Sequence, residues 1–277
     1  MSSKTAALRA HVASALAARV ASPFEYRDRP AVETVPAGVH SVDFLTGGFP
    51  RGSLTEIYGP PCSGRTSLLI SALASRTSAS EVCALVDARD AFDPTSAEAA
   101  GVKLKHLLWV RCRNVDQALR STDLLIQGGG FGLIALDFGD TPAQVVRYVP
   151  LQVWFRFRRA VESTPTILVV LEQESNAKTC ASLVLQLRMQ AARWSRASGT
   201  AEEILSHHSP GCLLDGAQSH AEMIRSRAKR EGNRLIRDEE IFMGAGGSGA
   251  DFETEAMEIY SRALPGIHSP GGGPGKR

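Results

Sequence analysis

Apolar and polar residues alternate in two periods along the middle of the chain. Short apolar runs at Ser53–Tyr58, Val82–Asp87, Leu107–Arg111, Leu133–Asp137 and Thr166–Leu171 have the length of buried strands. Between them lie segments with helical spacing: Ser67–Arg76, Thr95–Ala100, Val115–Gln127 and most of Pro142–Val161. Strands alternating with helices predict an α/β fold, a mostly parallel sheet covered by helices on both faces. Leu183–Leu187 reads as the start of an antiparallel extension.

The flanks read differently. Residues 1–31 are expected to form an N-terminal helix over about 5–20, ended by Ser22-Pro23, and a charged, Pro-containing linker. That helix serves either as a packing element or as an arm for self-association or a partner. The core is expected over 32–196 and a divergent extension over 197–243, with a strand or a helix in 213–242. Glycine and proline dominate 244–277, which predicts a disordered tail.

Composition narrows the function classes. The chain has 277 residues and a formal net charge of +2, so nucleic-acid binding would need a local patch or a partner. Its five cysteines show no C-x-x-C spacing, which argues against a zinc site or disulfide framework and for a reducing cytoplasm. No apolar run approaches the roughly 18 residues of a membrane span, and the N-terminus lacks the continuous apolar stretch of a secretory signal. The adjacent His207 and His208 do not converge on one ion without other ligands, so no metal is assigned to them.

The chemistry concentrates in Gly59-Pro60-Pro61-Cys62-Ser63-Gly64-Arg65-Thr66, followed by Ser67. Two glycines at this spacing, between a strand and a helix, predict a P-loop whose backbone N–H groups cradle phosphate oxygens. Thr66 is placed to bind Mg²⁺ through its hydroxyl. Arg65 stands where the motif has lysine, and its planar fork does not replace an ammonium at a tight site. Asp137 ends an apolar strand and is a candidate for a metal-bound water, with capping of the next turn as its alternative role.

Two basic regions stand out. Trp154-Phe155-Arg156-Phe157-Arg158-Arg159 has the composition of a base-stacking surface, but helical spacing favours an aromatic core face with arginines in water. Arg225, Arg227, Lys229, Arg230, Arg234 and Arg237 suit either DNA or partner binding or a solvated face.

Residues 32–193 resemble the core of the bacterial RecA recombinases. The resemblance is carried by Val32-Glu33-Thr34, Gly47-Gly48-Phe49-Pro50, Glu56-Ile57-Tyr58-Gly59-Pro60, Cys83-Ala84-Leu85-Val86-Asp87-Ala88, Phe92-Asp93-Pro94 and Ser182–Arg188. It implies a RecA-like P-loop core with ATP and Mg²⁺ as cofactors, Asp93 on the adenine side, and Gln173 as the γ-phosphate sensor. It also marks losses. Arg89 stands where the family has its catalytic glutamate, and an arginine cannot accept a proton from water. Ser96 replaces an adenine-stacking aromatic, and Glu172-Gln173-Glu174-Ser175-Asn176 runs into Ala177-Lys178 without the long DNA-binding loop. Together these are similar to ImuA, a RecA-like accessory family of translesion mutagenesis. The resemblance implies a degenerate ATPase partnering RecA or DNA polymerase subunits, with single-stranded DNA binding and homo-oligomerisation as further expectations. The alternative is an active ATP-dependent recombinase.

Overall fold

A computed structural model describes residues 32–195, 213–227 and 249–255. The expected N-terminal helix and linker, the His207-His208 pair, Lys229, Arg230, Arg234 and Arg237 lie outside the described residues.

A short antiparallel ribbon, β1 (Thr34–Val35) and β2 (Phe49–Pro50), brackets helix α1 (His40–Thr46). The main sheet has eight strands in the order β10-β9-β8-β3-β7-β6-β4-β5. Its members are β3 (Ser53–Tyr58), β4 (Cys83–Asp87), β5 (Leu107–Arg111), β6 (Leu133–Asp137), β7 (Ile167–Glu172), β8 (Leu183–Ser195), β9 (Leu213–Ser226) and β10 (Gly249–Glu255). Strands β3 to β8 run parallel, and β9 and β10 add antiparallel pairs at one edge. Helices α2 (Arg65–Ser78), α3 (Pro94–Ala99), α4 (Val115–Gly128), α5 (Ala143–Val146) and α6 (Leu151–Val161) complete the domain.

The central strands read as continuous apolar runs because both of their faces are covered. Ile57, Leu85, Ala135, Val169 and Leu171 pack with Leu68, Leu69, Ala72 and Leu73 of α2. On the opposite face Leu54, Val86, Leu136, Leu168 and Val170 pack with Trp154, Phe157 and Val161 of α6 and Ala118, Leu119 and Ile126 of α4. Alternation along β7 thus sends Leu168 and Val170 one way and Val169 and Leu171 the other.

Three details differ from the sequence reading and a fourth extends it. Helix α2 begins at Arg65, because the left-handed Gly64 at φ 90° turns the loop straight into the helix. The long helix expected over 142–161 is split into α5 and α6 by Pro150, which is extended at ψ 139° and has no N–H to continue a helix. Leu183 does open the antiparallel extension, pairing with β9 from Leu183 onward, but β8 is also a strand of the parallel core, paired with β3 on its other side. Residues 249–255, placed by composition in a disordered tail, form β10, because β9 offers an open edge of backbone groups for Gly249–Glu255 to pair with.

The aromatic helix resolves toward its core-facing alternative. Trp154 and Phe157 are fully buried and meet edge to face at 6.2 Å. Arg156 is ion-paired with Asp123 at 3.2 Å, and Phe155 remains exposed. The Trp154 Nε1 has no hydrogen-bond partner, so the residue contributes through packing. Trp154→Ala is expected to cost about 3–5 kcal/mol in urea unfolding. Trp154→Phe, which keeps most of the ring and removes the unsatisfied N–H, is expected to cost less than half of that.

Candidate nucleotide site

The loop between β3 and α2 is shaped by backbone constraints. Cys62 has φ 61° and Gly64 φ 90°. Gly59 donates its N–H to the Glu172 carbonyl at 3.2 Å. A Cβ on Gly59 would lie 2.2 Å from the Leu187 carbonyl oxygen, so only glycine lets β8 pass this close. The Leu68 N–H reaches the Gly64 carbonyl at 3.0 Å, leaving the earlier N–H groups of α2 without intrahelical partners, an arrangement suited to an oxyanion. Ser63 is buried, and its Oγ has no partner. Thr66 is exposed at the helix start, and Ser67 is half-buried beside it. Pro60, Pro61 and Cys62 form the outer arc of the loop; Pro61 and Cys62 are exposed.

Arg65 is the residue that departs from a phosphate-holding geometry. It is buried, at 6% exposure. Its Nη1 donates to the Glu172 carbonyl at the end of β7 (2.7 Å), and its Nη2 to the Gly139 carbonyl after β6 (3.3 Å). Gln173 Nε2 donates to the same Gly139 carbonyl at 3.1 Å. Burial lowers the Arg65 pKa, opposed by the charges of Asp137 and Asp140.

Asp137 lies in the same corner. Its Oδ1 accepts the Gly139 N–H at 2.7 Å, so the turn-capping role considered for it is present. Burial pushes its carboxyl up to about 6, with the Gly139 N–H opposing and nearby Asp87 adding to the rise. The loop backbone therefore fits a phosphate group. The side chains fit a magnesium ion poorly, because a fixed guanidinium shares the corner with Asp137.

Other expected site residues are engaged elsewhere. Asp93 caps α3, accepting from the Thr95 N–H (3.2 Å), the Ser96 N–H (3.1 Å) and the Ser96 hydroxyl. The Ser96 hydroxyl foremost holds its carboxyl below the ordinary value. Arg89 is exposed just past β4. Arg225 and Arg227 donate to the carbonyls of Lys178 and Thr179, the latter at 2.7 Å, so the described part of that cluster fastens a turn.

Three carboxylates were not singled out from the sequence. Asp87 is buried and organises the turn after β4, accepting from the N–H groups of Arg89 (3.0 Å) and Phe92 (2.9 Å). Glu56 is fully buried and accepts from Ser175 Oγ (2.8 Å), Asn176 N–H (2.7 Å) and Ala177 N–H (2.8 Å). Glu172 is fully buried beside it and accepts from Asn176 Nδ2 at 2.5 Å. Burial foremost, then the neighbouring Glu56, raises the Glu172 pKa well above the ordinary value. The two glutamates pin the short return loop 173–177 to the sheet. The available signal was an acid inside an apolar strand, on the face that alternation assigns to Leu54.

Comparison with known proteins finds a similarity over part of the chain. The model of the RecA N-terminal domain matches residues 22–145. Protein RecA of Brucella anthropi is 40% identical over 108 residues, covering 38% of this chain and 30% of the relative. Protein RecA of Corynebacterium aurimucosum is 37% identical over 112 residues, covering 40% and 30%. That of a Picosynechococcus species is 40% identical over 107 residues, covering 38% and 31%. The chain thus matches about three tenths of the length of these curated relatives.

The raised Asp137 pKa has a stability consequence. The folded state binds this proton more tightly than the unfolded chain does, whose carboxyl titrates near 3.8. Stability therefore falls as pH rises from about 4 to about 6 and levels off above that, with a contribution of roughly 3 kcal/mol from this group. Asp137→Asn, which keeps an oxygen for the Gly139 N–H, is expected to flatten that part of the profile in urea titrations. Glu56 and Glu172, raised in the same direction, leave a residual slope.

Proposed function

We propose that this chain, whose residues 22–145 match the model of the RecA N-terminal domain and which carries a buried arginine at the phosphate loop, is a RecA-like accessory protein of DNA repair. In this reading it acts in the cytoplasm as a binding platform in damage-induced translesion mutagenesis, as ImuA-like proteins do. Its partners are RecA, DNA polymerase subunits or single-stranded DNA, and it self-associates without needing ATP turnover. The observation that carries the reading is Arg65, whose guanidinium donates to the Glu172 and Gly139 carbonyls.

The chemistry of hydrolysis supports it. An attacking water needs a base or an orienting acceptor, and the position after β4 offers the exposed Arg89, which has only donors. The γ-phosphoryl transition state needs positive charge at a fixed point, and Arg65 is directed elsewhere. ATP and Mg²⁺, the family's cofactors, would at most meet the loop N–H groups, Thr66 and Asp137 here, where bound magnesium supplies charge neutralisation for phosphoryl transfer.

One feature favours the recombinase alternative: Thr66, Asp137 and Gln173 all sit on the loop edge of the sheet, at the helix start and the strand ends where such a site is built. Steady-state ATPase assays with and without single-stranded DNA separate the two readings. The accessory reading expects no DNA-stimulated turnover above background. It also expects retention of RecA filaments or polymerase subunits that is unchanged by ATP. Turnover stimulated roughly 10-fold or more by DNA would establish the recombinase instead.

A further inference from the structure

The guanidinium of Arg65 sits in a corner that a divalent cation would need. It bridges two backbone carbonyls from neighbouring strand ends, Glu172 after β7 and Gly139 after β6, at 2.7 and 3.3 Å. Gly139 is wedged between this guanidinium and the Asp137 carboxylate. A Cβ built there would lie 3.4 Å from Arg65 Nη1 and 2.9 Å from Asp137 Oδ1. The corner is therefore already filled by a fixed positive charge, a carboxylate and the backbone that joins them.

We propose that Arg65 is the resident cation of this site and determines its ligand specificity, excluding magnesium-chelated nucleoside triphosphate. Three physical arguments support the assignment. A guanidinium does not deprotonate in proteins, so its charge persists even in a buried setting. A divalent ion approaching Asp137 would meet that charge in a poorly solvated corner, where like charges repel strongly. One of the two Asp137 carboxylate oxygens, Oδ1, is also already engaged by the Gly139 N–H.

The same bridge has a second effect. Gln173, at the end of β7, shares the Gly139 carbonyl with Arg65. The return loop behind it is held by Glu56 through Ser175, Asn176 and Ala177. The residue placed to sense a terminal phosphate is thus set by internal hydrogen bonds, without a ligand. Lysine at position 65 could not reproduce this: its single ammonium lacks the planar fork that reaches two carbonyls at once.

The inference deepens the accessory reading and is tested separately from it. Binding of ATP is measured by calorimetry with and without Mg²⁺, on the wild type and on Arg65→Lys. The wild type is expected to show less than about a twofold effect of Mg²⁺, or no binding at all. Arg65→Lys is expected to gain Mg²⁺-dependent binding of about 10-fold or more, together with faster amide exchange over residues 139–141 and 173–177. Failure of Arg65→Lys to gain Mg²⁺-dependent binding while remaining folded would overturn the assignment, as would tight Mg²⁺-dependent binding by the wild type.

If Arg65→Lys does not fold, the wild type decides the matter through electron paramagnetic resonance of Mn²⁺ in the presence of ATP. Protein-bound Mn²⁺ overturns the assignment and its absence supports it. A wild type that binds Mg²⁺–ATP but turns none over would remove the resident-cation role and leave the accessory reading standing. Hydrolysis would remove both.

Discussion

Parallel strands end with their last carbonyls pointing toward the loops that follow, and those oxygens must find donors or water. At the centre of this sheet Arg65 shares that task with the Gly59 N–H, on the Glu172 carbonyl, and with Gln173, on the Gly139 carbonyl. Arg65, the first residue of α2, reaches across to the ends of β7 and β6 and satisfies the carbonyls of Glu172 and Gly139. The interaction connects the phosphate loop to two strand ends through a buried charge. A buried charge is costly unless it is paired and hydrogen-bonded, and here two carbonyls and the nearby charges of Asp137 and Asp140 offset part of that cost. Gln173 shares the Gly139 carbonyl with this contact.

The second constraint lies one strand spacing away. Glu56 and Glu172 bring two carboxyl groups into a dry face of the sheet, each raised in pKa by burial. Glu56 uses its oxygens on two backbone N–H groups and a hydroxyl of the return loop, and Glu172 uses one on Asn176. A loop that ran free would leave these carboxyls uncompensated. The short loop 173–177 satisfies both oxygens of Glu56 and one of Glu172, whose Oε1 has no hydrogen-bond partner.

Several arginines of the described surface are committed to protein partners. Arg156 pairs with Asp123, Arg147 with Glu174 and Arg111 with Asp90, while Arg225 and Arg227 hold the turn at 178–180. Exposed pairs of this kind contribute little to stability, but they lower the number of free cations available to a phosphate backbone. The formal net charge of the whole chain is only +2.

Local pattern determined a great deal. The runs at Ser53–Tyr58, Leu107–Arg111 and Leu133–Asp137 are strands with those same bounds, because apolar runs of that length between turn residues have few other uses. The spacing of Gly59 and Gly64 marked the loop, since backbone geometry there admits little but glycine. The motif also showed that Arg65 stands where a P-loop has lysine, and the resemblance placed Arg89 where a glutamate was expected. Tertiary structure decided the rest. Sequence gave no direction for the Arg65 side chain, because its acceptors lie 74 and 107 residues away along the chain and become neighbours only when β6 and β7 pair beside β3. It could not identify Glu56 and Glu172 as partners of one loop for the same reason. The pairing of 249–255 escaped a composition-based reading because an edge strand gains its stability from the neighbour's free backbone groups, not from its own residues.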